Sequence, residues 1–163
     1  MTTTLAPVSL EEAIALVSLE ADCLDHRDYS TWLTLWADEG KYVIPIDPEA
    51  TDYADRLNYA YDDAAMRRMR VARLTSGESM SARDAATTVR SISRFRVLPD
   101  AADGTFRLRC AQHLVEYKRD VHRSYVANVT FTLQQTEVGP RILEKVVRLI
   151  NSTGALAGMS FLL

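Results

Sequence analysis

The apolar positions of this chain change their period about halfway along it. Early on, Leu10, Ile14, Val17, Ala21 and Leu24 recur at steps of three and four residues, the signature of one helix face. Ser9 and Glu12 are spaced as a capping box, so this helix should start at Leu10 and run to about Asp25. Asp28 is placed to cap a short second helix whose stripe is Tyr29, Trp32, Leu33 and Trp36, with Gly40 at its end. Lys41–Ile46 reads as a strand, and Pro45 within it implies an edge or a bulge. The run from Asp47 to Asn58 is rich in Pro, Asp, Thr and Ala and predicts a loop. A third helix lies between Tyr61 and Gly77, capped by Asp62 or Asp63, with Met66, Met69, Val71 and Leu74 as its apolar positions. A second loop follows over Glu78–Ala86.

From there the period is two. Val89, Ile92, Phe95 and Val97 mark a strand over Thr88–Leu98, and Asp100–Gly104 is a turn signal. Phe106, Leu108 and Cys110 alternate with Arg107 and Arg109 in a strand extending toward Tyr117, and Arg119–Asp120 turns the chain. Ala127, Val129, Phe131 and Leu133 then face away from Asn128, Thr130, Thr132 and Gln134, as in an antiparallel strand wetted on one side. Val138–Pro140 reads as the next turn and Arg141–Asn151 as the last strand. Helices first and meandering strands after predict an α+β fold. Residues 1–163 are expected to form one domain, with a flexible tail at 1–8.

Composition narrows the function classes. With 47% apolar and 25% charged residues the chain is ordinary for a globular protein, and its net charge of −3 pulls it toward neither nucleic acid nor anionic lipid. No apolar run approaches the roughly 18 residues that a membrane span needs, and the start of the chain lacks a signal-peptide pattern. Cys23 and Cys110 read as small buried hydrophobes in a reducing compartment, which makes the cytoplasm the expected location.

The candidate chemistry is sparse. A Rieske cluster takes two Cys and two His, and a mononuclear ferrous site takes two His and a carboxylate. The two cysteines stand in no Cys-x-His pairing, and His26, His113 and His122 have no i, i+4 spacing. No metal or cofactor site is expected in this chain. Asp25 beside His26 resembles an oriented general base, though a histidine there also complements a helix C-terminus. Asp62 and Asp63 could pair as acid and base. Capping accounts for one of them, and an arginine of the same helix or a neighbouring element for the other. Arg67, Arg70 and Arg73 could clamp an anion, or form a solvated face or ion pairs with a partner chain.

Several stretches together resemble the small (beta) subunit of aromatic-ring-hydroxylating dioxygenases. They are Asp25–Trp36 with Gly40–Pro45, then Asp62-Asp63 with Met66, Arg70-Val71, Arg73-Leu74 and Thr75–Gly77, and finally Glu144–Asn151 with the apolar end Phe161–Leu163. The segment Met80–Arg90 departs from the family pattern by lacking Trp and Pro, with Arg90 as its remnant. The departure bears on which large subunit is contacted. The resemblance implies helices packed in the concave face of a curved, mainly antiparallel sheet, a cone shared with nuclear-transport-factor-2-like (cystatin-like) proteins. It implies a non-catalytic role for Asp62, Asp63, Arg67, Arg70 and Arg73, structural or at an interface. It also implies a trimer of small subunits within an α3β3 hexamer whose large subunits carry the Rieske 2Fe-2S cluster and the mononuclear Fe(II). The alternative on the same cone is a stand-alone isomerase or dehydratase for a small apolar molecule, with His26, Asp25, Tyr42 and Tyr61 as its candidate residues.

Overall fold

The computed structural model describes residues 4–76, 86–99, 101–102, 104–154 and 161–163. Three helices, α1 (Leu10–Asp25), α2 (Tyr29–Thr34) and α3 (Ala64–Thr75), pack against one sheet. Its strands are β1 (Trp36–Pro45), β2 (Asn58–Asp62), β3 (Thr87–Val97), β4 (Thr105–Lys118), β5 (Val121–Thr136) and β6 (Gly139–Leu149). The sheet runs β2-β1-β6-β5-β4-β3, with β1 parallel to β6 and every other pairing antiparallel. The α+β cone expected from the sequence is therefore present, as a curved mixed sheet with helices against it.

Local chemistry sets most boundaries. The Ser9 hydroxyl accepts the Glu12 amide while the Glu12 carboxylate accepts the Ser9 amide, closing the capping box. Asp28 accepts the Thr31 amide at the start of α2, and Asp63 accepts that of Met66 at the start of α3. Arg119 and Asp120 both take left-handed φ, 50° and 61°, the geometry of a two-residue type I′ hairpin between β4 and β5. The inner face of β5 holds Ala127, Val129, Phe131 and Leu133, each at most 3% exposed, against α1 and α2 residues such as Val17, Leu24 and Trp32. Val8, inside the stretch expected to be a loose tail, joins that core.

Several expectations are corrected. Trp36 does not continue α2: Ile142 donates its amide to the Leu35 carbonyl at 2.8 Å and draws the chain into β1 alongside β6. Gly40 thus lies inside a strand instead of ending a helix. A Cβ on it would come within 2.9 Å of the Ala37 and Ile142 carbonyl oxygens, so the close approach requires glycine. Pro45 sits at a bulge, one of the two places that a proline within a strand implied, and β1 lies between β2 and β6. Tyr61 belongs to β2, an edge strand hidden within what reads as loop and helix start. On α3, Met66 and Met69 are exposed at 46% and 62%, whereas the inward face carries buried Arg67 and half-buried Arg70, Val71 and Leu74. On α1, Leu10 is exposed and the buried face includes Glu20. Gly77 and the expected loop through Ala85 lie outside the described residues.

Candidate functional site

The concave side of the sheet is where a cone of this kind would hold a ligand, and here it carries a set of buried polar contacts. Glu20, entering from α1, is fully buried. Its Oε1 accepts from Trp32 Nε1 at 2.9 Å and from Lys145 Nζ at 2.7 Å. Lys145, on β6, is also fully buried; it donates to the Leu163 main-chain oxygen at 2.7 Å and lies 5.7 Å from the ring centres of both Tyr42 and Phe131. Burial pushes the Lys145 pKa down, and the Glu20 carboxylate pulls it back up. Tyr42 Oη donates to the Leu163 oxygen and accepts the Leu163 amide, while burial drives its phenol well above the usual range. Leu162 and Leu163, each 1% exposed, fill this end of the cone.

A second cluster ties α1 to β3. The Asp25 carboxylate accepts from the Arg90 guanidinium, from the Arg90 amide at 2.8 Å and from the Thr88 hydroxyl at 2.9 Å. Arg90 also donates to the Leu162 carbonyl, so the two clusters meet at the same chain segment. Beside Asp25 and Arg90 is an open cleft of about 220 Å³ lined also by Ser18, Ala21, Asp22 and Ile92.

The third cluster holds the arginines of α3. Asp62, fully buried, takes a two-pronged bond from Arg70, at 2.6 Å to Nε and 2.9 Å to Nη2, which holds the Arg70 guanidinium above its usual value. Arg67 is 2% exposed and stacks 4.3 Å from the Trp36 ring centre. It donates to the carbonyls of Gly40, Asp62 and Ala37, and burial lowers its pKa. Of the three arginines proposed for a solvated face, Arg67 is interior, Arg70 is half-buried and paired, and Arg73 is exposed.

The residues of the alternative enzymatic reading do not converge. His26 caps α1 at the surface, its ring 3.0 Å from the Asp22 carbonyl and 3.2 Å from the Asp22 carboxylate, contacts that raise its pKa. Asp25 is engaged by Arg90 and Thr88, Tyr42 is sealed in the core, and Tyr61 faces solvent on β2. Cys23 and Cys110 are buried free thiols, with pKa values pushed up by burial, Cys110 to about 11. Among the described residues no three His, Cys, Asp or Glu side chains gather as a metal site, and no helix is long and apolar enough to cross a membrane.

The Glu20–Lys145 pair escaped sequence reasoning because each residue sits in an otherwise ordinary pattern. The one signal was Glu20 falling one turn after Val17 and one before Leu24, within the apolar stripe of α1.

The helices, the curved sheet and the buried polar ties between them describe an α+β protein with Leu162 and Leu163 packed into its core. The family model for the ring hydroxylating beta subunit matches residues 19–154, and the chain belongs to that family. It is 28% identical over 142 residues to the small oxygenase component of the p-cumate 2,3-dioxygenase system of Pseudomonas putida, covering 85% of this chain and 77% of that one. Its fold superposes with a TM-score of 0.79 on the beta subunit of benzoate 1,2-dioxygenase from Burkholderia mallei, at 18% identity over 97% and 100% of the two chains. An NTF2-like protein with a cystatin-like fold from Novosphingobium aromaticivorans matches at a TM-score of 0.59, with 15% identity over 86% and 81%. These likenesses place the cone among NTF2-like folds.

Proposed function

We propose that this chain is the structural beta subunit of the terminal oxygenase of an aromatic-ring-hydroxylating dioxygenase, and that it performs none of the chemistry itself. It works in the cytoplasm as one domain, trimerises, and assembles with three alpha subunits into an α3β3 hexamer. The alpha subunit holds the Rieske 2Fe-2S cluster and the mononuclear Fe(II), which supply electrons and activate O2 for dihydroxylation of an aromatic ring. The observation that carries this reading is the family match across residues 19–154. Two features of the molecule support it. The concave side is occupied by Leu162, Leu163 and the buried contacts around them, which favours packing over substrate binding. Leu57, Tyr59 and Tyr61 alternate on and beside β2, and with Met66 and Met69 of α3 they leave apolar surface exposed, as a chain that lives in an assembly does.

The test is co-expression with the Rieske-type large subunit encoded beside this chain, followed by native mass spectrometry and iron analysis of the separated subunits. The expected result is a mixed hexamer in equal ratio, with iron following the large subunit. A small chain that stays apart from it, or that retains iron or a small molecule when isolated, overturns the proposal.

A further inference from the structure

A broad depression lies on the sheet face opposite the cone, where strand alternation turns polar residues outward. It is an open groove of about 690 Å³. Its cationic lining is Arg94 and Arg96 from β3, Arg107 and Arg109 from β4, and Arg148 from β6. Five guanidiniums on one face of a chain with net charge −3 require an explanation. Arg96 and Arg109 stand directly opposite each other across β3 and β4, a like-charge cross-strand pair that opposes folding. Among the described residues neither has a hydrogen-bonding or ion-pair partner. Arg94 bonds Asn128, Arg148 bonds the Ala50 carbonyl and the Tyr53 hydroxyl, and Arg107 lies near Glu144.

The acidic complement lies at the other end of the sheet order. The loop joining β1 to β2 carries Asp47, Glu49, Asp52 and Asp55. Asp47 is paired with Arg56, but Glu49, Asp52 and Asp55 are exposed and form no ion pair among the described residues. The same loop ends in Leu57, 85% exposed. In its own chain this loop meets Arg148 of the groove through the Ala50 carbonyl and the Tyr53 hydroxyl, while Asp47 is held by Arg56 and Asp52 by the Ala54 amide.

We propose that the arginine groove receives the acidic loop of a second copy of this chain, the carboxylates of Glu49 and Asp55 neutralising Arg96 and Arg109. Because the two surfaces differ, the contact is head-to-tail, the kind that forms a ring when its rotation closes. The proposal rests on the reading that the chain self-associates, and it assigns the surfaces that do so. Among the described residues no aromatic side chain lines the groove, which disfavours a single-stranded nucleic acid as occupant.

The experiment is sedimentation velocity of the full chain at low and high salt, with native mass spectrometry of the same samples. Arg109→Glu places a carboxylate opposite Arg96 within one chain, so it holds or raises the melting temperature while weakening self-association by about tenfold or more. Glu49→Lys with Asp55→Lys weakens association likewise from the loop side. Glu49→Lys and Asp55→Lys combined in one chain with Arg96→Glu and Arg109→Glu restore the charge match and with it the ring. Wild-type assemblies that ignore both charge reversals, or a combined variant that stays dissociated, overturn the assignment of these surfaces alone. A wild-type chain that is monomeric both by itself and with its large subunit overturns the self-association reading as well.

Discussion

Asp63 accepts the Met66 amide at 2.9 Å, and that bond holds its carboxyl below the usual carboxylate range. Its contribution is therefore complete above the unfolded-state value and is lost as pH falls through the lower folded value. Thermal melts across the acid range should show Asp63→Asn keeping the cap and losing that pH dependence, while Asp63→Ala melts lower throughout. Arg67 presents a different problem, because a charge is buried for the sake of three carbonyls and a tryptophan face. Arg67→Met strands those carbonyls, each worth about 1–3 kcal/mol if left unsatisfied, and denaturant titration should find a loss of at least that size. Arg67→Lys keeps the charge but not the flat fork, and should recover only part of it. Asp63 was one of the two caps that the sequence offered, beside Asp62. The burial of Arg67 was not readable there, since an arginine buried by stacking on Trp36 has the same sequence context as one lying in water.

At the scale of elements, α1 is joined to β6 by Glu20 and Lys145 and to β3 by Asp25 and Arg90. Both ties cross long stretches of sequence, so they fix how the first helix sits in the sheet. Lys145→Met leaves the Glu20 carboxylate buried and unpaired, which costs about 3–5 kcal/mol, and Glu20→Leu added to it should restore part of the stability. Equilibrium unfolding of the two single variants and the double variant measures the coupling between them. The helices and the meander β4–β5–β6 were legible because their periodicities and turn residues are strong. The short edge strand β2 was not, because Asn58–Asp62 is flanked by turn residues and gains strand form only by pairing with β1. For the same reason Trp36 and Gly40 read as helix and helix stop, although β6 recruits them into a strand.

Across the whole molecule, the cone is closed by residues from the far end of the chain. Leu162 and Leu163 pack on the core, with their main chain held by Arg90, Lys145 and Tyr42. Leu162→Ala should cost about 2–5 kcal/mol and open a cavity that binds small apolar probes, as followed by unfolding and by fluorescence of an added dye. The same variant should still join its alpha subunit when folded, because the outward surfaces are untouched. Native mass spectrometry of the co-expressed pair checks this.

Taken alone, the sequence determined the α+β class, the N-caps of α1 and α2, the hairpin meander and the family, because these depend on local periodicity, turn chemistry and ordered short motifs. Tertiary structure decided which charges lie inside. Glu20, Asp62, Arg67, Arg90 and Lys145 become interior only when distant elements meet to satisfy them. It also gathered arginines from three strands into one groove, a juxtaposition set by strand register and by no segment of the sequence.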